Sequence, residues 1–215
     1  MTTATRLTLY NGALAIVGEG ALLTTTENRE SRRQLDDVWD RGAVRTCLSM
    51  GLWNFARRGI QWNFDPDFTP PFGYRCAFNL PADWVRWMAV CEDEYMGVPL
   101  LRYQDEGQWF FCDLQQIYVA YVSDDSKFGM NMAAWPDNFQ RYVEAYFAAA
   151  IALRLTGSKD IVAKANGERD TNLKRAKSTD AMNEATTSLP PGNWSQARRG
   201  RRSNLSRGNR NQLIG

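Results

Sequence analysis

Residues 135–157 read WPDNFQRYVEAYFAAAIALRLTG, and their spacing predicts a long helix. The proline suits a first helical turn, and the aspartate after it favours the positive end of the helix dipole. Apolar side chains then recur on one helical face at Phe139, Val143, Tyr146, Ala150 and Leu153. Gly157 ends this pattern, and Ser158 is predicted to cap a last, more polar helix that runs to about residue 184.

The N-terminal part of the chain predicts two more helices. The first has the i, i+3, i+7 spacing of Leu7, Tyr10, Leu14 and Val17, and Gly18 closes it. Thr24 and Glu27 stand in the capping-box relation, which predicts the start of a long second helix that reaches Gly59. This second helix has one apolar stripe, formed by Leu35, Trp39, Ala43, Cys47, Met50 and Trp53.

Between Ile60 and Asp137 the helical spacing lapses. Prolines interrupt this region, and its apolar residues come in short bursts that are rich in aromatic and β-branched side chains. The bursts predict five strands, at residues 75–80, 86–91, 98–103, 109–114 and 117–122. Residues 105–107 predict a hairpin turn between the third and fourth of them.

These elements predict a mainly α protein, a helical bundle with a small antiparallel β insertion and an extended C-terminal tail. The predicted helical body comprises residues 1–59 and 136–186, and the β-rich insertion comprises residues 60–135. Residues 187–215 form the predicted basic tail.

Composition excludes several kinds of site. The chain has no histidine, which removes Ser-His-Asp and Cys-His nucleophile arrangements and histidine-ligated metals. Its cysteines contain no CxxC pair and are predicted to be buried thiols in a reducing compartment: Cys47, Cys76, Cys91 and Cys112. No apolar run approaches the ~20 residues of a membrane span, and the N-terminus lacks a signal-peptide pattern. We therefore expect a protein made in the cytosol, with no cofactor and no membrane partner.

Two acidic clusters deserve consideration as metal or catalytic sites: Asp36, Asp37 and Asp40 on the second helix, and Glu92, Asp93 and Glu94 after a predicted strand. Asp36 and Asp40 share a helix face and can in principle clamp a divalent cation. Neighbouring arginines offer them ion pairs instead, and the second cluster lies among turn signals that favour a solvated loop. The residues therefore favour ion pairing over metal binding.

The C-terminal segment has a different chemistry from the rest of the chain. Residues 186–215 contain no Asp or Glu but six arginines, Arg198, Arg199, Arg201, Arg202, Arg207 and Arg210. Without these six, the chain has 20 basic and 24 acidic residues, so a mildly acidic body carries a basic tail. Such a tail has little apolar surface to bury. Its arginines can neutralise phosphates or pair with an acidic groove on a protein partner, and both readings stay open.

The polar face of the second helix is a candidate subunit-contact surface. It carries Arg29, Arg32, Arg33, Asp36 and Asp40. The alternative is that these charges form a solvated helix face.

Several stretches resemble the motifs of one protein family. Residues 11–19, NGALAIVGE, are similar to the family's first helix and its I-G-E motif, and residues 30–45 match its long polar helix. Residues 53–55, WNF, resemble the W-x-F that introduces its β insertion, and residues 135–155 are similar to its return helix. The family is that of the head-to-tail adaptors of tailed bacteriophages, the tail tubular protein A or upper tail connector of short-tailed phages.

The resemblance implies a non-enzymatic virion protein of the tail or neck, made in the host cytoplasm. It implies a dodecameric ring that docks beneath the portal protein, presents a platform to the tail nozzle or another distal tail protein, and lets DNA pass without sequence preference through its lumen. The six tail arginines are then expected to contact the portal or another partner. The first alternative is a nucleic-acid-binding module that acts through the arginine-rich tail. A metal-dependent enzyme that uses the acidic clusters is the third reading.

Overall fold

The computed structural model describes residues 4–183, and its helices follow the predicted order with one break. They are α1 (Arg6–Val17), α2 (Glu30–Asp40), α3 (Ala43–Ser49), α4 (Asp137–Thr156) and α5 (Lys159–Met182). The predicted ends of α1 and α4 are confirmed, since Gly18 and Gly157 terminate them with φ of +85° and +63°. Glycine adopts this left-handed conformation without a steric penalty. Ser158 is the N-cap residue immediately before α5, although its side chain makes no capping hydrogen bond.

The prediction of one long second helix is wrong. Gly42, with φ of +79°, separates α2 from α3, and the helical path ends well before Gly59. The proposed capping box is also wrong, because Arg29 precedes α2 and the Glu27 carboxylate instead accepts a hydrogen bond from the backbone N–H of Leu23. The apolar stripe is continuous in sequence, but a left-handed residue within it redirects the chain.

Six strands form two antiparallel sheets within the described residues. They are β1 (Arg57–Asn63), β2 (Cys76–Asn79), β3 (Trp84–Cys91), β4 (Gln104–Glu106), β5 (Trp109–Cys112) and β6 (Gln116–Ser123). The first sheet has the order β1-β6-β3 and the second the order β2-β5-β4. In the first sheet Arg57 lies opposite Val122, and in the second Glu106 lies opposite Trp109 across a tight hairpin.

Four of the five predicted strands are confirmed as β2, β3, β5 and β6, and two corrections follow. Residues 98–103 form no strand, and β4 begins only after them. The Asp93 carboxylate accepts hydrogen bonds from the backbone N–H groups of Gly97 and Val98, at 3.0 and 2.7 Å, in the loop at the start of this segment. Pro99 forms only an isolated bridge with Cys91. The strand β1 was not predicted, although its alternating burial is typical of a strand.

The first core is built around α4, which packs against the other four helices. Phe139 and Val143 are buried as predicted, but Ala150 and Leu153 face solvent. The predicted single stripe is incorrect there because α4 has partners on several sides. Its buried residues are Phe139, Tyr142, Val143, Ala145, Phe147, Ala148, Ile151 and Ala152.

A second core lies between the two sheets, and β6 belongs to both cores. Trp62, Phe78 and Phe110 pack with Val119 and Tyr121 of β6 in the second core, whereas Val122 of β6 belongs to the helical core. A strand buried on both faces reads as a continuous apolar run, which is the pattern of residues 117–122. The β region is therefore not an accessory to a helical bundle.

The predicted fold class, a mainly α helical bundle, is wrong. Helices account for 44% and strands for 19% of the structure, which is an α+β fold. The error arises from the residues before and within β1. The predicted second helix was extended as far as Gly59, and so it included the start of β1, where burial alternates with the two-residue period of a strand. The tail that completed the predicted fold lies outside the described residues.

The cysteines and the hydropathy of the helices agree with the sequence. All four cysteines are free and buried, which confirms their prediction as buried thiols. In residues 4–183 we find no helix with the length and apolar character required to cross a membrane.

Asp83 joins the first sheet to the loop that follows β6. Its carboxylate lies 2.7 Å from the Arg58 guanidinium and accepts hydrogen bonds from the hydroxyls of Tyr121, at 3.1 Å, and Ser123. Burial alone would raise the pKa of Asp83, but the hydrogen bonds from Ser123, Arg58 and Tyr121 outweigh this effect and lower it. The folded protein therefore favours the ionised form of this carboxyl more than the unfolded chain does.

We expect Asp83→Asn to reduce the free energy of unfolding near neutral pH by about 1–3 kcal/mol, since three donors lose a charged acceptor. Because the folded-state pKa is lowered, this stabilisation is complete above about pH 4, the pKa of the unfolded side chain, and is lost as the pH falls through the folded-state value. The variant should therefore lose less stability on acidification. Denaturant unfolding, monitored by circular dichroism at several pH values, measures both effects.

Asp67→Asn is the matched control, because Asp67 is exposed on the loop between β1 and β2. It should keep the stability and the acid sensitivity of the parent chain. An Asp83→Asn profile that overlaps the parent at every pH would contradict the assignment.

Candidate interaction surface

The charged residues of α2 lie opposite a buried anchor. Leu35 is fully buried, and Ser31 and Gln34 are nearly so, so this side of α2 packs toward α1 and α4. The two remaining sides carry charges of both signs. Their positions decide which of the predicted contact residues another molecule can reach.

Asp36 is the centre of a polar cluster between α1 and α2. Its Oδ1 accepts hydrogen bonds from Arg6 Nη2 at 2.7 Å and from the Tyr10 hydroxyl at 2.8 Å. Its Oδ2 pairs with Arg32, one helical turn earlier on α2. Arg6 also lies over the ring of Trp39, at 4.8 Å from its centroid, and donates through Nε to Tyr10 at 2.7 Å. The cluster fixes α2 against α1.

The Tyr10 phenol stays protonated in this cluster. Burial raises its pKa far above the usual range; the hydrogen bond from Arg6 works against this, while the hydrogen bond to Asp36 adds to it. The phenol therefore acts as a donor to Asp36, and the cluster has a structural purpose.

The structure divides the five predicted contact residues into two groups. Arg29, Arg32 and Asp36 are engaged within the chain: the Arg29 guanidinium donates to the backbone carbonyls of Gly20 and Ala21. Arg33 and Asp40 are more exposed, although Arg33 donates to the Asn28 side chain at 2.6 Å and pairs with Glu30 at 3.5 Å. Asp40 approaches Arg6 only to 4.0 Å and its side chain is 76% exposed, whereas the Asp36 side chain is 23% exposed.

A second charged group on α2 completes the accessible surface. Asp37 binds Arg41 at 2.7 Å and Arg154, from α4, at 3.5 Å. Glu30 and Arg33 line a shallow groove with them, above the nearly buried Gln34. We call the five more exposed residues of this groove the α2 ridge: Glu30, Arg33, Asp37, Arg41 and Arg154. The i, i+4 spacing of Asp37 and Arg41 is visible in the sequence. Nothing in the sequence indicates that Arg154 joins them.

The acidic clusters are organised as ion pairs and loop contacts. Asp36 and Asp37 face arginines, and Asp93 binds backbone N–H groups of its own loop. Within residues 4–183, no group of three or more Cys, Asp or Glu side chains is arranged to hold a metal ion.

The tryptophans of the β region pack among other aromatic rings. Trp62 lies 5.2 Å from Phe78 and 5.5 Å from Trp87, and Trp109 stacks on Phe68 at 4.1 Å. These contacts explain the tryptophan rings as residues that pack the core and its surroundings. The six tail arginines, Arg198, Arg199, Arg201, Arg202, Arg207 and Arg210, lie outside the described residues.

Comparison with known proteins adds no family to this description. The sequence matches none of the protein-family models, and a search of curated proteins finds no significant relative.

Proposed function

We propose that the protein is a non-enzymatic structural component of a phage virion, a head-to-tail adaptor that forms a ring beneath the portal. By the resemblance, the ring is a dodecamer that connects the portal to a distal tail protein and surrounds the DNA path. The observation that carries the proposal is the α2 ridge, an exposed strip with both charge signs on a helix that Asp36 and Leu35 hold in place. A surface of this kind fits a partner subunit.

The ridge suits a specific contact between subunits. The side chains of Arg33, Arg41 and Arg154 are more than half exposed, so their charges are available to a partner. Accessible charges of this kind contribute chiefly to specificity and to the rate of association. A ring requires a heterologous contact, in which the ridge meets a different surface of the next copy.

The residues that carry the resemblance have structural roles consistent with the proposed layout. The Asn11 side chain binds both backbone groups of Leu22, at 3.1 and 2.8 Å, and so fixes the loop after α1. Gly12 allows α1 to approach α4, because a Cβ there would lie 2.4 Å from Cδ of Glu144. Trp53 is buried immediately before the β region begins.

Light scattering of the chain, alone and mixed with portal rings at two salt concentrations, tests the proposal. We expect attachment in a fixed ratio near one copy per portal subunit. The double variant Arg41→Glu, Arg154→Glu should attach with fewer than one copy per portal subunit and in no fixed ratio, because the ridge no longer pairs neighbouring copies. Lys174→Glu, on the exposed face of α5, is the control and should behave as the parent. A chain that ignores portals under both conditions would exclude the adaptor.

The composition of the tail favours one other function. Six arginines among Gly, Asn and Ser residues suit a nucleic-acid-binding module. Under that alternative a monomer binds DNA with a steep salt dependence, and replacement of the six arginines with glutamine abolishes binding. The adaptor proposal instead predicts that the chain with six glutamines no longer attaches to portals.

A further inference from the structure

The two sheets expose strand edges that differ from each other. Among the described residues, β1 pairs only with β6, and β4 pairs only with β5. An edge strand presents unpaired backbone N–H and C=O groups, which can extend a sheet into another chain. The two sheets have two further edge strands, β3 and β2. The pairing of β3 is interrupted by two register shifts, and the Ala77 carbonyl of β2 already accepts a hydrogen bond from the Asp65 N–H at 2.7 Å. We therefore consider β1 and β4 as the places where a further strand can add.

The β1 edge is regular and open. Its pairing with β6 runs without a bulge from Arg57 to Asn63, and it contains no proline. Alternate residues along the strand are exposed, and the site of Gly59 has open space around it. Among the usual means of blocking an edge, β1 has no bulge and no proline, and its charged side chains are those of Arg57 and Arg58.

The edges carry opposite charges. β1 begins with Arg57 and Arg58 and has no acidic residue, whereas β4 contains Asp105 and Glu106 and has no basic residue. Arg58 is occupied by Asp83. In the described part of the chain neither Arg57 nor Glu106 forms an ion pair: Arg57 contacts the Met96 sulfur at 3.6 Å, and Glu106 contacts Gln104.

We propose that β1 of one copy pairs edge to edge with β4 of the next copy, so that the sheets continue between subunits. The like charges of two β1 strands oppose self-pairing, whereas Arg57 opposite Glu106 favours the heterologous pair. Because the two edges are different, the contact can repeat around a closed ring instead of ending at a dimer. This inference rests on the proposed adaptor function and identifies a partner surface within it.

The short length of β4 limits the strength of this contact. Three residues form few ladder hydrogen bonds, so the pair is expected to form mainly where copies are already held side by side on a portal. Cross-linking should therefore be carried out on the portal-bound assembly as well as on the free chain.

Thiol cross-linking tests the pairing directly, because the four native cysteines are buried. Gln61→Cys and Gln104→Cys place one thiol on each edge and replace only exposed amides. We expect the double variant, treated with a short bismaleimide on portals, to give a ladder of covalent multimers. Each single variant, and a double variant with Thr171→Cys on α5 in place of Gln104→Cys, should stay monomeric on denaturing gels.

Charge reversal in the same assay identifies the side chains. In the Gln61→Cys, Gln104→Cys background, we expect Arg57→Glu to reduce the multimers about fivefold and the addition of Glu106→Arg to restore them. Dimers from Gln61→Cys alone would show β1 self-pairing and overturn the inference. Stoichiometric portal attachment without cross-links would overturn it and leave the adaptor function intact. A chain that neither attaches nor cross-links would overturn both.

Discussion

Gly129→Ala is expected to destabilise the protein more than alanine at any other glycine of the described residues. A Cβ at this position would lie 2.2 Å from the Ser123 carbonyl oxygen and 2.7 Å from a methyl carbon of Leu48. Leu48 is fully buried, and the Gly129 N–H already donates to that Ser123 oxygen at 3.1 Å. Relief of the clash requires a backbone shift, so we expect a loss of at least about 3 kcal/mol in the free energy of unfolding.

The loss should extend to both cores, because the affected segment connects them. The Gly129 carbonyl accepts a hydrogen bond from the buried Trp135 indole at 2.7 Å, just before α4, and Ser123 ends β6. A displaced Gly129 therefore disturbs the strand and the entrance to the central helix together. Urea unfolding followed by circular dichroism and by tryptophan fluorescence measures the change with two probes.

Gly167→Ala is the control for this experiment. Gly167 lies within α5, and nothing stands within 4 Å of the site that a Cβ would occupy. The same methyl group should there raise stability by up to about 1 kcal/mol, because alanine is the better helix former. Equal stabilities for the two variants would contradict the packing described around Gly129.

The sequence predicts those helices whose periodicity and end signals agree. α1 and α4 each have a repeating apolar pattern and a left-handed glycine at the C-terminal end, and their bounds follow from local chemistry. The prediction of the second helix is wrong because the apolar stripe in the sequence continues past Gly42, whereas the chain turns at that residue. The prediction misses β1 for a related reason. This strand is covered on one side by aromatic rings from distant parts of the chain, so it contains few apolar residues of its own.

The candidate surface is predictable in part. The sequence places Asp36 and Asp40 one turn apart on the same helix, and the local difference between them is Arg32, four residues before Asp36. The structure separates them because Arg6 and Tyr10, from another helix, enclose the first carboxylate and leave the second in solvent. Arg154 was missed for the same reason, since it reaches Asp37 from a helix more than a hundred residues away. Long-range packing decides which charges are structural and which are available.

This separation leads to a second large expected effect, that of Asp36→Ala. The substitution removes the shared acceptor of Arg6, Arg32 and Tyr10. It leaves two guanidinium groups close together with no carboxylate between them. We expect the free energy of unfolding to fall by about 2–4 kcal/mol, the usual cost of removing one partner from a partly buried ion-pair network. Thermal and urea unfolding of the purified variant measure the loss.

Asp40→Ala is the matched control, because it deletes the same group from the same helix at a position in solvent. Its stability should stay within about 0.5 kcal/mol of the parent. Salt adds a second distinction: an exposed contact between Asp40 and a neighbouring subunit weakens as ionic strength rises, whereas the Asp36 cluster is largely shielded from ions. If Asp36→Ala unfolds like the parent while its portal attachment fails, Asp36 belongs to the interface. Otherwise its effect on assembly is a consequence of the position that it gives α2.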